Sequence, residues 1–235
     1  MRIINAIKND IKFQFKYGFY YLYSLLSLLY ILLIYFVPND YKNIIAVVVL
    51  FSDPVALGMI FMGAIILFEK SENVLQALLI TPLRAEEYII AKVISISIIS
   101  ELSSLAIVTI SFDLNNYNLF FIFSGVIFGS FISTLSGIIV ASTVNSINQF
   151  IVRIIPLGIF LSIPPFAILL GINNSILNIL PGNIVFNMLL SGMRAIKVNP
   201  HYIIIFALWL MLFFKWATLK INNMLINIGG VRNGD

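Results

Sequence analysis

The chain has 235 residues, 60% of them hydrophobic and only 10% charged, with a mean hydropathy of +1.03. A soluble domain of this length needs far more polar surface, so the composition excludes one. The net charge of +4 reads as membrane topology rather than nucleic-acid binding, and the absence of cysteine excludes disulfides and thiolate metal sites.

Runs of about 20 apolar residues recur along the whole length, the pattern of transmembrane helices. The expected class is an all-α polytopic membrane protein, with residues 1–235 forming one transmembrane domain. Residues 1–16 spread Arg2, Lys8, Lys12 and Lys16 too widely for the compact positive region of a cleavable signal. Ile3, Ile4, Ile7, Ile11 and Phe15 share a helical face, which predicts an interfacial helix whose lysines meet anionic head groups.

Six spans are expected. The first runs from about Tyr17 to Val37, with Tyr17, Tyr20, Tyr21 and Tyr23 as interfacial anchors. The second lies within Ile44 to Phe68 and contains Ser52-Asp53-Pro54, which reads as a helix start with Asp53 as N-cap. This predicts a broken or kinked span whose lower part begins at Pro54. Capping is the plainer role for Asp53, and contact with substrate the alternative.

Residues 69–87 interrupt the greasy pattern. The stretch from Phe68 to Lys92 holds Glu69, Lys70, Glu72, Arg84, Glu86, Glu87 and Lys92. Val74, Leu75, Leu78 and Leu79 form an apolar stripe beside polar Glu69, Lys70, Glu72, Asn73 and Gln76, which predicts a short amphipathic helix from about Lys70 to Ile80. Thr81-Pro82 then ends that helix and starts the next, threonine as N-cap and proline at its first position, with Glu86 and Glu87 in the first turn. Spacing alone leaves two roles open for the short helix: resting on lipid, or docking a cytosolic partner.

The third span lies within Tyr88 to Ser111. Glu101 falls halfway along it, where an acid costs roughly 2.5–3.5 kcal/mol on insertion scales. Such a carboxylate is expected to face the bundle interior or a wet cavity, either hydrogen-bonded to a neighbouring Ser or Asn or taking part in substrate passage. Lys92, nine positions earlier, lies on the opposite face and is expected to snorkel to the cytoplasmic surface.

The fourth span, about Leu119 to Val144, carries a ladder of small residues, Gly125, Gly129, Ser133, Gly137 and Ala141. It leaves a groove for a second helix, within the protomer or across a dimer interface. The fifth is expected near Phe150 to Leu170, kinked or ended by Pro164-Pro165. Residues 171–200 are too short on either side of Pro181-Gly182 for a full crossing, and predict two short external half-helices covered by protein or lining a cavity. The sixth span lies near Tyr202 to Leu219, with Trp216 beside Lys215 at its end.

With the N-terminus inside, Arg2, Lys8, Lys12, Lys16, Lys70, Arg84, Lys92, Arg153, Lys215, Lys220 and Arg232 are cytoplasmic, and only Lys42, Arg194 and Lys197 are external. This asymmetry predicts both termini in the cytoplasm.

The stretch "LFEKSENVLQALLITPLRAEEYIIAKVIS" resembles the signature of ABC-2-type transporter permeases. Glu69, Lys70, Leu75, Leu78, Thr81, Pro82, Leu83, Tyr88 and Lys92 stand at its positions. The resemblance is specific over this stretch and extends loosely to the whole chain; "SDPVALG" before it is similar to smaller prokaryotic members linked to drug export. It implies a homodimer or heterodimer of permeases in the plasma membrane, with two ATPase subunits that bind ATP and Mg. It further implies that the first cytoplasmic loop contacts the ATPase, through Glu69, Lys70, Glu72, Val74, Leu75, Leu78, Leu79, Pro82 and Arg84. Glu72 departs from the glycine common there, and is expected to straighten the helix.

The chain itself has no G-x-x-x-x-G-K-[ST] loop, so any nucleotide belongs to a separate polypeptide. His201 is the one histidine, and Glu86-Glu87 lacks the arginine and histidines of intramembrane CAAX-type proteases, so no catalytic, cofactor or metal site is expected. The functional expectation is the permease subunit of an ABC exporter of a hydrophobic substrate such as a drug. The alternatives are an immunity or sensor subunit and a secondary transporter, which needs a second broken span for its ion site.

Overall fold

A computed structural model describes residues 2–52, 57–79, 83–112, 117–172, 174–193 and 201–228, and their regular structure is entirely helical. Helix α1 (Arg2–Lys16) turns through Gly18, at φ 81, into α2 (Phe19–Phe36). Then follow α3 (Asn39–Ser52), α4 (Gly58–Ser71), α5 (Val74–Leu79), α6 (Ala85–Ser111), α7 (Leu119–Ala141), α8 (Ile147–Leu169), α9 (Pro181–Gly192) and α10 (His201–Ile228).

Five of these, α2, α6, α7, α8 and most of α10, are long and apolar enough to cross a membrane. The region expected to hold the second span consists instead of two helices of 14 residues each, α3 and α4. Asp53 and Pro54, where the lower part of the span is expected to begin, lie outside the described residues; α4 is described from Gly58.

Helix α7 is the axis of the core. Its small-residue ladder is filled from within the protomer. On one half, Gly125 faces Leu189 and Met188 of α9; on the other, Ser133 meets Gly58, and Gly137 lies against the Met59 backbone and the Met62 side chain of α4. Gly129 and Ala141 are buried in the same helix. Helix α2 is pinned to α6 by a 2.7 Å hydrogen bond between the Ser27 and Ser103 hydroxyls.

Of a kink or an end at Pro164-Pro165, the end is excluded, because α8 runs on to Leu169 and the Leu170 N–H donates to the Phe166 carbonyl. Membrane helices tolerate internal proline when neighbouring groups re-satisfy the freed carbonyls. Where two half-helices are expected, the described part of 171–200 holds a 3-10 turn (Leu177–Ile179) and helix α9. Residues 173 and 194–200 lie outside the described residues.

Helix α9 enters the bundle with proline at its first position, where no amide donor is needed. Gly182 rests on the Leu161 carbonyl of α8, and Gly192 on Ile122 of α7. The turn before it is held by Trp209 of α10, whose indole N–H donates to the Ile179 carbonyl at 2.9 Å.

A Cβ built on Gly182 runs into the Leu161 backbone, whereas one on Gly158 meets only the flexible end of Met59. Gly182→Ala is therefore expected to cost about 1–3 kcal/mol, and Gly158→Ala far less. Thermal unfolding of the two variants in detergent, measured against the parent, checks the difference.

Candidate functional site

Of the polar residues of the 69–87 segment, Glu69 meets Lys92 of α6. This lysine does not snorkel to the surface. It is 1% exposed, because α1 and α4 close over it and supply two carboxylates. Its ammonium donates to Asp10 Oδ1 of α1 at 2.5 Å and to Glu69 Oε1 of α4. The Tyr88 hydroxyl, one turn earlier on α6, donates to Glu69 Oε2 at 2.6 Å, and its ring lies under the same ammonium. Both Glu69 oxygens are thereby engaged.

Two carboxylates share one ammonium, and Asp10 is the more exposed, 14% against 7% for the Glu69 side chain. Burial pushes the Asp10 carboxyl above the usual carboxylate range, opposed by Lys92 and reinforced by Glu69. A second link between α1 and α6 lies one turn on, where Gln14 Nε2 donates to the Ser95 hydroxyl at 2.9 Å.

The face that α1 buries therefore carries Asp10 and Gln14, while Ile4 and Phe15 of the expected apolar face are 57% and 52% exposed. Asp10 and Gln14 were not among the candidates. Their signal was Asp10 as the sole acid in a basic leader, four residues before a glutamine and on the stripe of Ile3 and Ile7.

Lys70 makes the companion contact. Its ammonium donates to the carbonyls of Ala141, Ser142 and Val144, at 2.9, 3.1 and 2.7 Å. Carbonyls at the end of a helix have few backbone donors (Ala141 has only a long one, from the Val144 N–H at 3.5 Å), and a cation there also suits the helix dipole. Arg153 adds a bond from Nη1 to the Thr143 carbonyl. Glu69 and Lys70 thus bond within the protomer, to α6 and to the end of α7.

Helix α5 starts later than expected. α4 continues through Ser71, Glu72 caps it, and Asn73 turns the chain at φ 56, the left-handed conformation that asparagine tolerates after a helix. Glu72 therefore stands at a corner and straightens nothing. Its carboxylate is exposed and accepts from the Tyr17 hydroxyl at 3.3 Å.

Of the apolar stripe, Leu75 is 2% exposed and packs into the core, so it is no docking anchor, whereas Val74 is 39% exposed beside exposed Gln76. Leu78 and Leu79 belong to α5, and their side chains lie outside the described ones. Thr81 and Pro82, expected as a cap and first position, also lie outside the described residues, and the next described helix is α6 from Ala85. Arg84, exposed, is its N-cap, and its N–H donates to Glu87 Oε2 at 2.9 Å.

Glu101 stands apart from this cluster. It is half-buried in α6, and its Oε1 is buried without a hydrogen-bond partner, so the expected bond to a Ser or Asn is absent. The nearby Ser104 hydroxyl instead donates to the Glu101 backbone carbonyl. Among the described residues, no group of three His, Asp or Glu is placed to hold a metal. The arrangement joins helices. It fixes the root of an exposed short helix to two long apolar ones.

Residues 1–227 match the sequence profile of the fluoroquinolones export permease protein family. The chain is also similar to the fluoroquinolones export permease protein of Mycobacterium tuberculosis, in strains CDC 1551 and H37Rv. Each is 27% identical over 182 residues, covering 77% of this chain and 76% of the relative.

Removing the shared ammonium leaves two buried carboxylates facing each other. Lys92→Met is expected to destabilise the protein by about 3–5 kcal/mol, the usual result of breaking a buried pair from one side. Adding Asp10→Asn and Glu69→Gln to the same chain should recover most of the loss. Thermal unfolding of single and triple variants in detergent checks both halves.

Proposed function

Since the chain belongs to the fluoroquinolones export permease protein family, we propose that it is the membrane subunit of an ABC-type drug exporter. In this reading it forms part of the translocation path, while ATP and Mg are bound by a separate ATPase subunit. The observation that carries the reading is the double anchorage of α4 next to α5. Glu69 ties it to α6, and Lys70 ties it to α7. A push on α5 from outside the membrane is then delivered to two spans at once, which a permease without a nucleotide site requires.

The docking surface is Val74, Gln76, Glu72 and Arg84, all exposed, with the outward part of the six-residue α5 between them. In the same reading α3 and α4 together make one crossing, giving six spans with both termini in the cytoplasm and a dimer of permeases in the plasma membrane. The unbroken course of α8 argues against a secondary transporter, which needs a second discontinuous span.

Coexpression with its ATPase tests the proposal. The parent should copurify the ATPase and, in inverted vesicles, drive ATP-dependent uptake of a fluorescent fluoroquinolone. Val74→Asp places a charge in the centre of the docking face and should lower copurification by about tenfold, as loss of an interface anchor does. Insertion and gel-filtration profile should be unchanged. Full copurification and transport by this variant would make α5 a lipid-resting helix.

A further inference from the structure

The sealed cluster around Lys92 has an unbalanced charge. Lys92 brings one positive charge, and Asp10 and Glu69 bring two negative ones. Fully ionised, the three side chains leave one net negative charge against an ammonium that is 1% exposed. Such a charge is costly away from water, and two carboxylates held at one site relieve the cost by keeping a proton on one of them.

The hydrogen bonds decide which carboxylate takes it. Both Glu69 oxygens accept, Oε1 from the Lys92 ammonium and Oε2 from the Tyr88 hydroxyl, and such bonds favour the charged form. Among the described residues Asp10 accepts through Oδ1 alone, so Oδ2 has room for a hydrogen. Its side chain is also the more exposed of the two, which gives the proton a path from water.

The surroundings supply no second cation. Lys92 and Glu69 are the charged groups that act on Asp10, and the Tyr88 hydroxyl is the remaining titratable group beside it. Lys8 and Lys12 stand two positions to either side on α1, and therefore on its opposite, exposed face. Helix α2, packed beside α1 and α6, contains no Asp, Glu, Lys, Arg or His. Lys70 of α4 is turned to the end of α7. Burial acts most strongly on the Asp10 carboxyl and, with Glu69, raises it above the usual range against the pull of Lys92.

We propose that Asp10 is a proton-binding site built into the docked leader helix, with the proton on Oδ2 and Lys92 left as a matched pair with Glu69. The proton comes from water, and α1 released from the bundle returns it. Because the docked form holds the proton more tightly than the free form, docking gains as the pH falls and weakens as the pH rises through the titration of docked Asp10. An ordinary Asp–Lys bridge has the opposite sign, since acid removes its carboxylate. Glu69 also fixes the root of α5, so acid on this side of the membrane tightens the clamp from which that helix projects. The inference goes beyond the export reading and does not depend on it.

Two measurements on the full chain in phosphatidylcholine nanodiscs test it. In the first, infrared spectra of the parent and of Asp10→Asn are subtracted at a series of pH values. A protonated-carboxyl stretch present only in the parent should persist above about pH 4, where a free aspartate has ionised. Glu69→Gln removes the excess charge and should move the midpoint of that band down. Asp10→Glu should keep a titrating band.

In the second, thermal unfolding of parent and Asp10→Asn is compared from about pH 5 to about pH 8. The asparagine cannot ionise, so the parent should lose stability relative to it as the pH rises. A band that titrates at or below the free-aspartate value, or a midpoint unmoved by Glu69→Gln, overturns the proposal. So does a stability difference that stays constant, or that shifts in favour of the parent, as the pH rises.

Discussion

An ammonium taken out of water costs several kcal/mol unless carboxylates are brought to it with good geometry. Lys92 imposes that condition on three helices. Because its side chain is sealed, α1 must lie where Asp10 reaches it and α4 must end where Glu69 does. Tyr88 then completes the hydrogen bonding of Glu69. The position of the amphipathic leader against α6 follows from pairing a charge, not only from burying apolar surface. That explains why α1 turns Asp10 and Gln14 inward and leaves Ile4 and Phe15 on its outer face.

The opposite end of the bundle is held in a different way, by backbone bonding and close packing. Every peptide group away from water needs a partner. The 3-10 turn before α9 finds one in the Trp209 indole, and α9 opens with a proline that has no amide to satisfy. Small residues let this helix sit directly against α7 and α8. One end is therefore fixed by charge and the other by close packing, with α7 running between them.

The long helices were legible because hydrophobic length is a strong signal. The ladder on α7 was legible as a groove, while its occupants, α4 and α9, were not. The site was only half legible. Glu69, Lys70 and Lys92 stood out as charges in an apolar chain, but their partners are remote in sequence: Asp10 is 82 residues from Lys92, and Val144 is 74 from Lys70. No local pattern encodes such pairs. An isolated lysine near a membrane surface is ordinarily free to reach water, and α1 and α4 closing over it prevent this here. The corner at Asn73 was carried by a single residue type, since asparagine accepts the left-handed conformation, and the apolar periodicity around it masked that signal.

Glu69 and Lys70 are adjacent, and a helix turns about 100° per residue. That single step is what sends one side chain to α6 and the next to the end of α7. The phase of α4 is consequently locked from Gly58, which packs on Ser133, down to Lys70. Inserting or deleting one residue between them would swing both side chains away from their partners together. Related chains should therefore vary in length outside this stretch, in the connections before α4 and after α6, and keep the register of these thirteen residues unchanged.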